Sequence, residues 1–209
     1  MTAPSHNSKE SIVHWNKLRI LRLPPHDRES MEYLPRILSL SYLSLEELYL
    51  DHIYTKERVQ LPLAQLVNLS NLPELRRFTL SAVLGAYDVV TDISTILERV
   101  PASNKMTNIM IGFEVSDASI MRFDHRWHQL YGRVERIASQ KKLEFELKFF
   151  PSSHTTPVKE VDMQGLKLLG NLTSLITSQS TICLHIWTPI CWTLGIPPMV
   201  SGTYREQCK

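Results

Sequence analysis

Four groupings of side chains in this sequence could do chemistry, and each falls short on spacing. Cys183-x-His185, with Cys191 and Cys208, offers the thiolates and imidazole of a structural zinc site. Such sites use paired C-x-x-C or H-x-x-x-H ligands, and that pairing is missing. Asp124, His125 and His128 place two histidines at i and i+3 on one stretch of helix. With no third carboxylate or cysteine on that face, they read as a solvated surface before they read as a metal or acid–base site. Arg133, Arg136, Lys141 and Lys142 form a small basic group, balanced by Glu135, Glu144 and Glu146, which weakens any phosphate-binding reading. His26, Asp27, Asp51, His52 and Asp88 fall in loops at strand ends. Those loops are where a hydrolytic enzyme on a parallel α/β scaffold would build its pocket, the alternative to a binding protein. No nucleophile motif accompanies them. GxGxxG, Walker, HExxH and GxSxG sequences are all lacking. The expectation is a protein without catalytic residues, cofactor or metal.

Composition sets the frame. The chain has 209 residues, 43% hydrophobic and 21% charged, as in a folded domain with an ordinary core. A net charge of +2 is too small to imply nucleic acid or an anionic membrane as partner. The polar first residues lack the apolar run of a secretory signal, and no stretch reaches the roughly 20 apolar residues of a membrane helix. Three cysteines, all near the C-terminus, point to a reducing setting in the cytoplasm or nucleus.

The elements that must position these residues emerge from a repeat. The spacing apolar-x-x-apolar-x-apolar occurs at Leu18-Leu21-Leu23, Leu45-Leu48-Leu50, Leu75-Phe78-Leu80 and Met106-Ile109-Ile111. Successive starts are 27, 30 and 31 residues apart, and a degenerate fifth unit carries Leu143-Phe145-Leu147. The last two apolar positions alternate with polar ones, the mark of a strand with one buried side. Between strands, apolar residues recur at helical steps over Glu29–Leu40, Leu61–Leu72, Val89–Val100 and Asp117–Ser139, with Asp117 placed to cap the last. Trp127 lies in the apolar row of that helix and reads as core.

Strand and helix alternating at about 30 residues imply parallel strands joined by crossovers. Because one side of each strand is polar, helices are expected on the other side only. The expected fold class is therefore α/β, a short solenoid with strands on one face and helices on the other. On the polar side, equivalent positions form columns: Arg19, Glu46, Arg76, Thr107, and beside it Ile20, Glu47, Arg77, Asn108. Opposite charges on neighbouring strands support the register, each pair contributing about 0.2–1 kcal/mol.

The segments Trp15–Leu23, Leu45–Leu50 and Leu72–Leu80 resemble leucine-rich repeats, and the longer units, with Ile96–Val100 followed by Met106–Ile111, look like the irregular repeats of fungal F-box-associated proteins. The resemblance covers roughly residues 15–150. It implies a non-catalytic protein-interaction module, the substrate-recognition part of an F-box-type ubiquitin-ligase subunit. An F-box is far longer than the 14 residues before Trp15, so this chain is expected to lack it, as a recognition portion alone or a truncated product would. The turn asparagine of common repeats is replaced by His26, Ile53, Val83 and Glu114. A protein partner is expected on the polar face, through Arg19, Arg22, Glu46, Tyr49, Arg76 and Thr79, with Tyr49 the best anchor.

Three segments complete the reading. Residues 1–14 are expected to be a disordered N-terminus and 15–169 a domain of about five repeats. Residues 170–209, without repeat or helical period, are expected to be an irregular, poorly ordered tail; the alternative is one more strand at Ile182–Trp187.

Overall fold

Alternating apolar and polar residues form seven strands in a computed structural model, which describes residues 14–23, 32–50, 63–84, 88–101, 103–115, 123–139, 141–151, 158–175, 181–189, 191 and 199–200. The strands are β1 (Ile20–Leu23), β2 (Glu47–Leu50), β3 (Arg77–Leu84), β4 (Asn108–Val115), β5 (Leu143–Pro151), β6 (Ile182–Trp187) and β7 (Met199–Val200). A short 3-10 turn, Trp15–Lys17, precedes β1. Strand order in the sheet follows chain order. The first six strands run parallel, and β7 pairs antiparallel with β6.

The register is the one the leucine spacing requires. Leu21, Leu48, Phe78, Ile109, Phe145 and Leu184 stand side by side, as do Leu23, Leu50, Leu80, Ile111, Leu147 and Ile186. All but Leu23 are buried in a single core with helix residues such as Ile93, Leu97, Trp127, Leu130 and Val134. A one-residue slip in any strand would turn these side chains to the opposite side, so the apolar rows pin the register. Phe113 extends the core at the far end of β4. It stacks on Phe149 at 5.6 Å and meets Trp127 edge-on at 5.5 Å, so Trp127 is core as expected.

Five helices connect the parallel strands: α1 (Leu34–Leu40), α2 (Leu63–Leu66), α3 (Val89–Glu98), α4 (His125–Ala138) and α5 (Val158–Thr173). Several are shorter than periodicity suggested. Pro35 sits in the first turn of α1, where its missing N–H leaves no bond unmade. Asp88 caps α3 by accepting from the Thr91 amide. Helix α4 starts at His125 with Asp124 as its cap; the expected cap, Asp117, lies outside the described residues.

Helix α2 has only four residues, too few to persist on local bonds. The next helix holds both its ends. Asp92 of α3 accepts from the Ala64 amide at 3.1 Å, and Arg99 donates to the carbonyls of Ala64 and Val67. Arg136 of α4 repeats the device one unit on. Its guanidinium donates to Leu97, Glu98 and Val100 carbonyls at 2.9 Å, closing the end of α3. Each arginine thus satisfies helix-end acceptors that would otherwise lack partners, and ties one unit to the next.

The expected irregular tail is corrected over Ile182–Trp187. This segment is a full member of the sheet, parallel to β5 over six residue pairs. Its inner residues Ile182, Leu184 and Ile186 extend the apolar rows. Helix α5, which periodicity did not pick out, runs past the expected boundary at 169 and packs over the new strand. A methyl on Gly165 would lie 2.5 Å from the Thr188 Cγ2, so glycine is what permits this approach. Residues 201–209 lie outside the described residues, as do 1–13.

Two outcomes follow. Arg136→Ala removes three charge-assisted bonds and should lower stability in urea by about 1.5–3 kcal/mol. Arg133→Ala, which removes one exposed pair with Glu98, should lower it by less than about 1 kcal/mol. Gly165→Ala should destabilise by about 1–3 kcal/mol through overpacking, and Thr188→Ala in the same chain should recover part of that loss. A gain of about 1 kcal/mol from Gly165→Ala, its intrinsic helix preference, would place Thr188 away from α5.

Candidate functional site

The second side of the sheet is polar and largely open. Ile20, Arg22, Arg77 and Glu144 are exposed there, and Glu47, Tyr49, Ser81, Asn108, Met110, Glu146, Lys148, Phe150, His185 and Trp187 are half-buried. Thr79, Gly112 and Cys183 are its buried members. The expected column Ile20, Glu47, Arg77, Asn108 is the observed register, and it continues through Glu144 to Cys183. The row beside it runs Arg22, Tyr49, Thr79, Met110, Glu146, His185. Arg22, Tyr49 and Thr79 thus share one row across the first three strands, whereas Arg19, Glu46 and Arg76 lie one residue before the Ile20, Glu47, Arg77 column, in line with the buried Leu143 and Ile182.

Their charges are partly self-paired. Arg19 donates to both Glu46 oxygens at 2.8 Å, and this forked bond raises the Arg19 pKa and lowers that of Glu46. Tyr49 is fixed from three directions. Its hydroxyl donates to Glu47 at 2.5 Å and accepts from Arg77 at 3.2 Å, and the Arg22 guanidinium carbon lies 4.4 Å from the ring centre. The Tyr49 bond is also the main reason that the Arg77 pKa is raised. Arg76 is exposed and makes no ion pair with a described residue. Thr79 is 3% exposed, and its Oγ1 has no hydrogen-bond partner, an unusual state for a buried hydroxyl.

The other half of the face was not expected to bind a partner, although Cys183 and His185, and Lys142, Glu144 and Glu146, were weighed in separate groupings. Lys148 pairs with Glu146 at 3.2 Å and lies 5.6 Å from the Trp187 ring centre. A pocket of about 350 Å³ opens among Thr107, Lys142, Glu144, Cys183 and His185. It brings a cysteine, a histidine and a carboxylate together, so its chemistry needs weighing. His185 Nε2 is 3.1 Å from Cys183 Sγ and 3.7 Å from Glu144 Oε1. A nucleophilic relay needs thiol and carboxylate on opposite ring nitrogens, and here both approach the same one. Cys183 is also disulfide-bonded, which corrects the expectation of three reduced cysteines and removes the thiolate such a step would use. Cys191 is a buried free thiol.

The remaining candidates have structural duties. Asp124 caps α4 through the Arg126 amide at 2.9 Å and pairs with the Arg126 guanidinium, which also reaches Asp88 at 3.4 Å. His128 packs edge-on against Phe123 at 4.4 Å. Of the basic group, Arg133 pairs with Glu98 and Arg136 closes α3, while the Lys141 ammonium donates to the Asn104 carbonyl at 2.7 Å. Burial there lowers the Lys141 pKa. These cations are used internally, which explains why they cluster. Of the strand-end residues, Asp88 is the α3 cap, and His26, Asp27, Asp51 and His52 lie outside the described residues. Among the described residues no three His, Cys, Asp or Glu side chains are placed to hold a metal, and no helix is long and apolar enough to cross a membrane.

No protein-family model, curated protein or solved structure matches this chain.

The cap on α4 gives a pH signature. Arg126 holds the Asp124 carboxyl below its ordinary 3.8, so the unfolded chain takes up a proton first as pH falls. The stabilising charge is intact above the unfolded value and is lost as pH drops through the folded one. Asp124→Asn keeps a capping acceptor but removes the charge. It should therefore cost about 1 kcal/mol at pH 7, a difference that closes below pH 3.8 when both proteins are followed by urea unfolding.

Proposed function

We propose that this chain is a short leucine-rich-repeat solenoid that acts as a non-catalytic protein-interaction module. The observation that carries the reading is the sheet itself. Six parallel strands follow one another in chain order, with apolar rows on one side and an open polar side on the other. Such an arrangement offers a broad, fixed surface in place of a deep pocket at a strand switch, the place where doubly wound enzymes act. Tyr49 supports the choice of face. A half-exposed aromatic held by Arg22, Glu47 and Arg77 loses little freedom on binding, which favours an anchor role. On the sequence resemblance, the partner would be a protein destined for ubiquitin transfer and this chain the recognition part of an F-box-type subunit.

Photo-crosslinking tests the face directly. A crosslinking residue at Tyr49 should join a protein partner in cell extract, whereas one at Glu135, exposed on α4, should not. Tyr49→Ala should leave folding stability within about 1 kcal/mol. It should weaken capture of that partner by about 2 kcal/mol, roughly thirtyfold in Kd. Equal adducts from both positions, or full capture by Tyr49→Ala, would move the interaction elsewhere.

A further inference from the structure

We infer that the β1–β3 part of the polar face docks a short acidic segment of a partner protein, laid across the three strands around Tyr49; this rests on the interaction reading above and gives the partner a chemistry. On these strands Arg22 and Arg77 face Glu47, a surplus of one positive charge, and Arg19, Glu46 and Arg76 immediately before them add one more. The surplus is not spread evenly. Glu46 is taken by Arg19, and Glu47 by Tyr49 and Arg77. Arg22 and Arg76 are exposed, and neither has a described carboxylate within 4.0 Å. An incoming acidic segment finds two cations outside any close ion pair, Arg22 held against an aromatic ring and Arg76 acting on Glu46 only at longer range.

The other half of the face has the opposite bias. Over β4–β6, Glu114, Glu144 and Glu146 outnumber Lys142 and Lys148. An acidic segment is drawn to the first three strands and turned away from the last three, so the face itself limits the footprint. Strands lie about 4.8 Å apart, so the first three span about 10 Å. At about 3.4 Å per extended residue, three residues cross that span, and a segment of about six covers it with flanks. Thr79 lies in the same row as Arg22 and Tyr49. Its hydroxyl oxygen has almost no exposed surface, so the docked segment engages the arginines and the Tyr49 ring and not Thr79.

The test uses the full chain and a fluorescein-labelled peptide of about eight residues containing four glutamates, compared with the same peptide carrying glutamines. Fluorescence anisotropy at low salt should show binding of the glutamate peptide, at least tenfold tighter than the glutamine form and weakening as salt is raised. Arg22→Gln with Arg76→Gln should weaken binding at least tenfold. The charge-keeping pair Arg22→Lys with Arg76→Lys should stay within threefold, which separates charge from misfolding. Arg133→Gln, on the helix side, should change nothing. Equal binding of the two peptides, no binding of either, or full binding by the glutamine double variant would overturn the inference. If the acidic peptide fails while the crosslinker at Tyr49 still joins a partner, the charge assignment falls and the interaction surface stands.

Discussion

The rest of the structure depends on one constraint, the parallel ladder's demand that every strand present its apolar residues on the same side as its neighbours do. A strand of four residues such as β1 or β2 has no independent stability. It exists because Leu21 meets Leu48, and Leu48 meets Phe78, across bonds that also satisfy the backbone. Burial of a leucine or phenylalanine contributes about 1.5–3 kcal/mol, against about 0.2–1 kcal/mol for a surface pair on the other side. The apolar rows therefore decide the register, and the polar side inherits it. The residues of the polar side are therefore left free of the demands of the register.

Helix ends meet the second demand, that no buried carbonyl be left without a donor. Arg99 and Arg136 each reach back to the preceding helix, and Asp92 does the same for an amide. The clamps explain how a helix as short as α2 survives between longer ones. They also give the basic residues of α4 their meaning. Charges that look available in the sequence are consumed at the joint between units, while Arg22 stays exposed on the polar side of β1. The two populations of arginine differ in surroundings and not in sequence neighbourhood.

Where polar and apolar residues alternate with charge, the sequence was legible. Glu46-Glu47-Leu48-Tyr49-Leu50 and Arg76-Arg77-Phe78-Thr79-Leu80 announce both a strand and its register, and the columns drawn from them are the ones observed. Strand β6 was expected only as an alternative because its polar side holds Cys183, His185 and Trp187, with no Lys, Arg, Asp or Glu to mark the alternation. The alternation is present, but it reads as an unbroken apolar run. Helix α5 was hidden by Gly165 and Gly170 within it, and by Met163 and Leu166 on its exposed side, which widen the apolar stripe. A usable signal for the clamps was present in Glu98-Arg99-Val100 and Glu135-Arg136-Ile137, the same triplet pattern at the end of successive helices. The pocket around His185 could not be foreseen, because Thr107, Glu144 and His185 become neighbours only through the register.

Amide hydrogen exchange, read peptide by peptide with mass spectrometry, tests most directly the claim that the six strands form one array. Exchange should be slow in β3, β4 and β5, and comparably slow over Ile182–Trp187, since β6 shares their ladder and core. Exchange of Ile182–Trp187 at the rate of an unstructured chain, with β5 still protected, would contradict that claim and end the array at five strands.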